Sequence, residues 1–336
     1  MDTIINPNKK QEIIAYILLI LTAIIWGGTW PLGRWIVSED YGETIPPLMI
    51  AVIRYFFAII CFFLILKYKE GSLNWKFAKE NWRILTIMGF LSVTIYQMGY
   101  LIGEIFTAAS DASIMVATNA VWVVILSSIF LKTEFFTWKK SIGTILAFIA
   151  VVIVVGFSPN QDVSNRIFGD ILVLIAALAY ATYTVTSRFF LNKTYNRPEF
   201  YQPSSLWILT WVSFSGFVIT TPIALFISPE FFSHFEYLNI PPRIWIGIAY
   251  LAFLSTVGAY TFYLEGVKRL SASRAAIFQT LVPLFGVILS AIFLREQFDV
   301  FTYPFSLLLV ILGIVLVNIK TYLNKEEKKE KDCIID

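Results

Sequence analysis

Long apolar segments alternate with short polar segments along almost all of the 336-residue chain. A helix that crosses a bilayer needs about 20 predominantly apolar residues, because each residue adds about 1.5 Å to its length. The pattern therefore predicts ten membrane-spanning helices. The predicted spans are residues 13–35, 46–66, 84–103, 111–131, 141–157, 169–190, 204–227, 244–264, 275–294 and 303–319. The connections between them hold at most 17 residues, which leaves no room for a soluble domain.

The composition is that of a membrane protein. Hydrophobic residues make up 57% of the chain, charged residues only 15%, and the mean hydropathy is +0.72. Soluble globular proteins carry about 25% charged residues. The predicted fold class is therefore an all-α membrane protein embedded in a lipid bilayer. Tryptophans near the span ends are expected to face lipid or form interfacial belts, namely Trp35, Trp75, Trp82, Trp138 and Trp245.

Few residues in the chain suit redox, metal or acid–base chemistry. Cys61 lies in an apolar run and Cys333 near the end of the sequence, so they predict no disulfide framework. His234 is the single histidine, which is too little for a zinc site or a histidine-based catalytic site. We expect no cofactor, no metal and no enzymatic activity. A membrane-embedded enzyme and a scaffold protein are alternative interpretations of such a chain. The enzyme would need paired carboxylates or a histidine near one face, and the scaffold a soluble domain or a long loop.

The two halves of the chain repeat each other. The segment VILSSIFL at 124–131 recurs as VILSAIFL at 287–294, an offset of 163 residues. The aligned pairs are Trp82 with Trp245, Ser92 with Ser255 and Tyr100 with Tyr263 at this offset, and Trp26 with Tyr180 and Arg34 with Arg188 at an offset of 154. Glycines, serines and aromatic residues agree together with the aliphatic ones. This agreement favours an internal duplication over a chance similarity between apolar helices.

The charges of the connecting segments indicate that the two halves enter the membrane in opposite directions. Because each half has five predicted spans, an odd number, the second half has to enter the membrane from the opposite side. Lys and Arg residues are held to the cytoplasmic side, so their positions test this inversion. Residues 67–83 contain five Lys or Arg residues, whereas their counterpart, 228–243, contains only Arg243. Residues 37–45 contain three acidic residues and no basic one, whereas their counterpart carries Lys193 and Arg197, shortly after Arg188. The other two loop pairs show the same exchange, so both termini are predicted to be cytoplasmic.

These repeats predict the organisation of the chain. The predicted parts are a cytoplasmic N-terminal segment 1–12, a first five-helix repeat 13–157, a connecting loop 158–168, a second five-helix repeat 169–320 and a charged cytoplasmic tail 321–336. Inverted-topology repeats are typical of secondary transporters. These proteins hold the substrate near the midplane and alternate access by rocking one half against the other.

Four stretches resemble a known family. They are AIIWGGTWPLGRWI in span 1, FTAASDASIMVATNAVWVVILSSIFLKTE across span 4, GDILVLIAALAYATYTVTSRFFL in span 6 and RLSASRAAIFQTLVPLFGVILSAIFLREQ across span 9. Together with Arg54 early in span 2, they are similar to the drug/metabolite transporter superfamily, EamA type, over about residues 13–320. The first half departs from the family pattern, since Ala120 stands where a proline is common.

The resemblance implies a ten-helix carrier without a cofactor. Members of the family are often exporters of small organic solutes, and their substrates vary widely. We therefore expect a secondary transporter of the cytoplasmic membrane that moves a small organic metabolite, such as an amino acid or a related compound. Its partners would be the solute and the lipid bilayer, with no nucleic acid. A monomer and a homodimer are both open.

Polar and aromatic residues near the middle of the spans are the candidate substrate-binding residues. They are Trp26, Thr29, Tyr96, Gln97, Thr118, Asn119, Tyr180, Tyr183, Ser255, Tyr260 and Gln279. Ligand pockets are mostly apolar and aromatic with a few placed polar groups. The spans that carry these residues line the cavity in the family that the chain resembles. As a set they predict a central cavity for an uncharged or zwitterionic solute. For each residue alone, hydrogen bonding between helices is the alternative interpretation.

Arg54 is a charged residue deep within a predicted span, about eight residues into span 2. A charge at the bilayer centre costs about 2.5–3.5 kcal/mol on insertion scales. Arg54 is interpreted either as an anchor for a solute carboxylate or phosphate, or as a structural residue that bonds helix-end carbonyls. Arg34 and Arg188 are interpreted as interfacial anchors. Pro283 frees the carbonyl of Gln279, which predicts either a hinge or a tolerated kink in span 9.

Acidic residues lie at the ends of the predicted spans rather than in their middle. Proton-coupled carriers place an acidic group within the pathway. Small multidrug-resistance antiporters, which are distant relatives in the same superfamily, have a Glu in span 1, where this chain has Trp26. A proton antiporter of that type is therefore not expected. Glu104 and Glu265 are candidates for proton coupling, with hydration and helix capping as the favoured roles.

Overall fold

The computed structural model of the protein describes residues 9–130, 138–159, 165–195, 201–229, 240–269, 278–279 and 281–316. Every regular element within these ranges is helical. His234, Cys333 and the tail predicted over 321–336 lie outside the described residues.

Ten apolar helices of the described residues form the bundle. They are α1 (Lys9–Val37), α2 (Pro47–Glu70), α3 (Trp82–Phe106), α4 (Ala109–Phe130), α5 (Trp138–Phe157), α6 (Arg166–Tyr195), α7 (Ser205–Ile227), α8 (Pro242–Gly266), α9 (Leu281–Phe293) and α10 (Thr302–Leu316). Seven of them are long and apolar enough to cross a membrane, which confirms seven of the predicted spans. The helices α5, α9 and α10 are apolar, but their apolar stretches in the described residues are shorter, at 10–17 residues.

The helices pack in matching pairs. Helix α1 packs against α8 and α9, and α6 packs against α3 and α4. Likewise, α2 packs against α7 and α8, and α7 packs against α2 and α3. Each helix of the first half corresponds to the helix five places later in the second half. When the corresponding helices are exchanged, the same set of contacts results. The two halves are therefore interleaved, and most close contacts of α1 and α6 are with helices of the other half.

The same close helix contact occurs twice. A Cβ added at Gly103 on α3 would lie 2.9 Å from a methyl of Val173 on α6. A Cβ added at Gly266 on α8 would lie 2.7 Å from Cγ of Leu19 on α1. The glycines are 163 residues apart and their partners 154, which are the two offsets of the sequence repeat. Only glycine allows the helices to approach this closely at either place.

Helices α3 and α8 contain wide, π-helical turns at matching positions. These turns span Phe90–Ile95 and Met98–Ile102 in α3, and Tyr250–Gly258 in α8. When the turn Phe90–Ile95 is shifted by the repeat offset of 163 residues, it lies within the turn Tyr250–Gly258. π-Helical turns are rare and occur frequently at functional sites. The sequence pattern predicts plain α-helices here, because a π-turn changes the hydrogen-bond register and not the apolar character.

Many large apolar side chains lie on the outside of the bundle. Phe226 is 87% exposed and Leu64 is 65% exposed, although both lie within apolar helices. Four of the five predicted belt tryptophans are exposed, and Trp35 is half-buried against the core. An outer surface of this kind is stable in lipid and unfavourable in water.

Candidate functional site

Arg54 lies buried at the centre of a polar network that joins three helices. Its guanidinium on α2 donates to Thr256 on α8 at 2.9 Å and to Gln97 on α3 at 3.3 Å. The Gln97 amide in turn donates to the Tyr55 hydroxyl at 3.3 Å. All of these partners are neutral, and Arg54 has no carboxylate partner among the described residues. The charge is therefore solvated by polar groups but not compensated.

The π-helical turns supply partners of Arg54. Thr256 lies within the turn Tyr250–Gly258 and donates its hydroxyl to the Leu251 carbonyl at 2.7 Å. Gln97 lies between the two π-turns of α3. Tyr55 and Thr256 were not predicted as site residues. Tyr55 directly follows Arg54, and Thr256 directly follows Ser255, both of which were predicted. The polar groups of Tyr55 and Thr256 within apolar runs were the sequence feature that could have identified them.

Aromatic side chains from four helices form a continuous cluster beside this network. Tyr180 on α6 is its centre, with a hydroxyl 3.0 Å from that of Tyr260 and a ring centroid 5.3 Å from that of Tyr96. The rings of Trp26 and Tyr260 meet edge to face, 5.1 Å apart, and the rings of Tyr183 and Tyr180 are 5.5 Å apart. Helices α1, α3, α6 and α8 thus present aromatic faces and phenol hydroxyls to one region.

Polar contacts join α1 to α8 next to the cluster. The indole N–H of Trp26 donates to the Ser255 carbonyl at 3.1 Å, and the hydroxyls of Thr29 and Ser255 are 2.8 Å apart. The Tyr100 hydroxyl donates to the Thr29 carbonyl at 2.8 Å. Eight of the eleven predicted binding residues therefore lie in this polar and aromatic region: Trp26, Thr29, Tyr96, Gln97, Tyr180, Tyr183, Ser255 and Tyr260.

The remaining predicted residues lie apart from the cluster or at its margin. Thr118 is buried where the two parts of α4 meet and donates to the Met115 carbonyl at 2.7 Å. Asn119 begins the second part of α4 and is half-buried. Pro283 is buried within α9. The hinge at Pro283 stays a prediction.

Gln279 contributes to a cleft that adjoins the cluster. The cleft is lined by Leu19, Thr22, Ala23, Trp26, Tyr263, Phe278, Gln279 and Val282. Its empty space, open solvent included, is about 160 Å³, whereas small-molecule sites have roughly 300–1,000 Å³. Among the described residues, the predicted binding residues therefore pack against one another in this conformation rather than around a solute-sized cavity.

Arg34 is buried, and its interpretation as an interfacial anchor is wrong. The guanidinium is 4% exposed and donates to the main-chain carbonyls of Glu104 at 2.8 Å and Thr107 at 2.5 Å. It also pairs with Asp40 at 3.1 Å and lies 3.8 Å from the Glu296 carboxylate. Burial follows from the short connection between α3 and α4, whose carbonyls need donors that water does not supply. The repeat mate Arg188 is exposed, in line with its predicted role.

The same end of the bundle holds further buried ion pairs. We call it the Arg34 end; it comprises the end of α1, the junction of α3 and α4, and the start of α6. The Glu296 carboxylate accepts hydrogen bonds from the main-chain N–H groups of Ala109 at 2.8 Å and Ser110 at 2.9 Å, and so caps α4. Asp111 and Arg166 form an ion pair of 3.0 Å, with side chains 0% and 6% exposed.

Glu104 also differs from its predicted role. The side chain is fully buried at the Arg34 end, and neither carboxylate oxygen accepts a hydrogen bond from the described residues. The prediction of hydration or helix capping is therefore wrong for this residue. The cap that was expected of Glu104 is provided by Glu296, which approaches α4 from after α9 and is distant in sequence.

The opposite end of the bundle, which we call the Lys69 end, carries a partly exposed ion pair. Lys69 on α2 pairs with Glu265 on α8 at 2.7 Å, but the two side chains are 35% and 26% exposed. Exposed ion pairs contribute about 0–1 kcal/mol. This pair is therefore weaker than the buried pair of Asp111 and Arg166 at the Arg34 end.

The fold and this site define a class of protein. An all-helical chain with seven membrane-length helices and an apolar outer surface is a multi-pass membrane protein. The family model described as the EamA-like transporter family matches the chain over residues 13–156 and again over residues 167–319. The chain belongs to the EamA-like transporter family, which confirms the resemblance found in its sequence.

Curated relatives agree with this membership, and a solved structure shares the fold. The uncharacterized transporter YetK of Bacillus subtilis (strain 168) is 27% identical over 314 residues, which cover 93% of this chain and 88% of YetK. An uncharacterized transporter of Archaeoglobus fulgidus is 27% identical over 303 residues, covering 90% of this chain and 98% of the relative. A crystal structure of another protein is 13% identical and has a TM-score of 0.54 over 92% of this chain and 98% of that chain, which shows a shared fold. The relatives are described as transporters, which supports transport rather than enzymatic activity.

Proposed function

We propose that the protein is a secondary transporter of the cytoplasmic membrane that exports a small organic metabolite, such as an amino acid or a related compound. Access to the central site alternates between the two sides of the membrane without a cofactor. The family membership supports transport, and the aromatic cluster beside Arg54 supports a central solute site.

The proposed topology has ten spans in two inverted repeats, 13–157 and 169–320. The paired packing of α1 with α8 and α9, and of α6 with α3 and α4, supports the repeat. The Lys and Arg residues between spans 2 and 3 favour a cytoplasmic position for the Lys69 end. The Arg34 end, with the acidic residues of 37–45, then faces the outside.

The observation that carries the proposed site is the uncompensated charge of Arg54 beside the aromatic cluster. A buried guanidinium with only neutral partners favours the approach of a carboxylate, which it binds with paired N–H donors. The faces of Trp26, Tyr180 and Tyr260 suit the apolar or cationic remainder of the solute. A zwitterionic amino acid has both features.

Alternating access requires the two ends of the bundle to open in turn. The partly exposed Lys69–Glu265 pair opens at little cost, because water already reaches both side chains. Opening the Arg34 end breaks buried contacts of Arg34 and Glu296, so solute binding has to contribute to it. The conformation described here has the Arg34 end closed.

A metabolite-library thermal-shift screen on the purified protein, followed by flux into reconstituted vesicles, tests this proposal. Trp26→Ala and Gln279→Ala should abolish the shift produced by the active metabolite and reduce its flux at least ten-fold. Trp138→Ala is the matched control, since that tryptophan is 78% exposed and far along the chain from the cluster. The proposed site is wrong if both variants transport like the wild type.

A further inference from the structure

Glu104 is a buried carboxylate that the proposed solute site does not use. Its side chain is 0% exposed, and both oxygens lack a hydrogen-bond donor among the described residues. An ionised carboxylate without a partner is so unfavourable in an apolar interior that the group binds a proton instead. The residue therefore differs from Asp111, Asp170 and Glu296 at the Arg34 end, each of which accepts a hydrogen bond.

The surroundings of Glu104 suit the protonated form. A Cβ added at Gly33 would lie 2.1 Å from Glu104 Oε2 and 2.1 Å from the Tyr100 hydroxyl oxygen, so both oxygens lie against Gly33, although no hydrogen bond joins them in this conformation. The Tyr100 hydroxyl already donates its single proton to the Thr29 carbonyl at 2.8 Å. Its oxygen is left as an acceptor. A carboxylic acid at Glu104 can donate to it, whereas a carboxylate would face its lone pairs.

The charged groups nearby are engaged elsewhere. The titratable and charged groups on the elements packed around Glu104 are Arg34 on α1, Tyr100 on α3, Asp111 on α4, Arg166 and Asp170 on α6, Tyr250 on α8 and Glu296 after α9. Arg34 donates to the main-chain carbonyl of Glu104 but forms its ion pairs with Asp40 and Glu296. Arg166 pairs with Asp111 at 3.0 Å and lies 3.9 Å from Asp170. No cation of the described residues forms an ion pair with the Glu104 carboxylate.

We propose that Glu104 is the proton-binding group of this carrier, protonated while the Arg34 end is closed and in exchange with water when that end opens. This inference rests on the proposed transport function. The step is an equilibrium in which the carboxylate and one proton from water form the carboxylic acid, and no other bond changes.

A chain of contacts connects this proton to the solute site. Glu104 adjoins Tyr100, Tyr100 donates to Thr29, and Thr29 meets Ser255 beside Trp26. Opening the Arg34 end hydrates Glu104 and disturbs the same contacts that position Trp26. Proton binding and solute binding therefore act on one conformational equilibrium, and a proton gradient can drive the solute.

Infrared spectroscopy of the reconstituted protein at neutral pH tests the protonated state directly. We expect the carboxylic C=O stretching band of a buried acid in the wild type and its loss in Glu104→Gln. Glu265→Gln is the control, because that glutamate is partly exposed and paired with Lys69, and it should leave the band unchanged. A band of equal intensity in Glu104→Gln would overturn the proposal.

A second variant covers the case in which Glu104→Gln does not fold. Tyr100→Phe removes the acceptor of the Glu104 proton and should move the band to higher frequency, as expected for a more weakly hydrogen-bonded acid. A band that stays at its wild-type frequency would contradict the proposed contact.

Transport measurements separate this inference from the proposed function. Vesicles are given a mixture of labelled common amino acids with and without an imposed pH gradient. The wild type should accumulate label when the gradient is imposed. In Glu104→Gln this accumulation should be at least ten-fold lower, whereas exchange without a gradient should be retained. Gradient-driven accumulation by Glu104→Gln at the wild-type level overturns the coupling. If the wild type moves no amino acid, the proposed solute class is wrong, and the infrared result alone decides whether Glu104 holds a proton.

Discussion

Arg54 Nε lies 2.9 Å from Thr256 Oγ1, although the two residues are 202 positions apart in the chain. The contact joins α2 of the first half to the π-helical turn of α8 in the second half. Gln97 on α3 is the other polar partner of the guanidinium. The buried charge therefore connects three helices at the level of the aromatic cluster, and a change in the relative position of the halves has to alter it.

Replacing Arg54 should affect stability as well as transport. Arg54→Gln should lower the free energy of unfolding by about 1.5–3 kcal/mol, the range for hydrogen bonds to charged groups. Arg54→Lys should recover part of the stability, since one ammonium cannot reproduce the two directed contacts. Thermal unfolding in detergent measures both. Lys69→Gln removes a partly exposed cation and should cost at most about 1 kcal/mol; a larger loss there than at Arg54 would contradict the central role of the guanidinium.

Tyr180→Phe separates solute binding from packing. The substitution keeps the ring that packs against Tyr96 and removes only the hydroxyl that lies 3.0 Å from that of Tyr260. We expect a loss of stability of about 1 kcal/mol or less. The solute concentration for half-maximal flux should rise several-fold. Tyr68→Phe is the control, because Tyr68 is 90% exposed. If the solute concentration for half-maximal flux is unchanged in Tyr180→Phe, the Tyr180 hydroxyl does not contribute to solute binding.

The matching glycines Gly103 and Gly266 should respond alike to substitution. An added methyl would lie closer than 3.0 Å to Val173 or to Leu19, respectively, so Gly103→Ala and Gly266→Ala should each destabilise by about 1–3 kcal/mol. Gly156→Ala is the control, since no atom lies within 4 Å of an added Cβ there. Leu19→Ala should relieve part of the Gly266→Ala effect. If the stability losses of Leu19→Ala and Gly266→Ala simply add in the double variant, the contact with Leu19 is not the cause of the Gly266→Ala loss.

Glu296→Ala should destabilise the Arg34 end. The substitution removes the acceptor for the first N–H groups of α4 and a neighbour of Arg34. Loss of a helix cap costs about 0.5–2 kcal/mol. Glu296→Gln should retain part of the cap and lose the charge. Glu39→Ala provides the comparison, because Glu39 is exposed at the same end; thermal unfolding that is equally lowered by Glu39→Ala would argue against a specific cap.

The apolar pattern predicted the helices well because a bilayer imposes one requirement on every span. All backbone groups have to be satisfied within the segment, so about 20 apolar residues form a helix whatever their order. The same pattern predicted the exposed tryptophans. It also placed Trp26, Tyr180 and Tyr260 in one region, because mid-span polar and aromatic residues avoid lipid and turn toward other helices.

Buried charges were predicted less well. Arg34 and Glu104 lie near the ends of spans, where sequence alone indicates contact with water or head groups. In the fold, the junction of α3 and α4 covers both residues. The cap of α4 comes from Glu296, 187 residues after Ala109, and no local pattern indicates a contact of that separation.

The sequence by itself determined the class of protein, the helices and the repeat, since these depend on apolar length and on residue identity at fixed offsets. Only the tertiary structure decided which polar groups have partners. It paired Arg54 with neutral groups, closed the Arg34 end with Glu296 and left Glu104 without a donor from the part of the chain that the structure describes. The physical reason is that hydrogen bonding and ion pairing are short-ranged and directional, so they depend on where helices distant in sequence come within a few ångströms of one another.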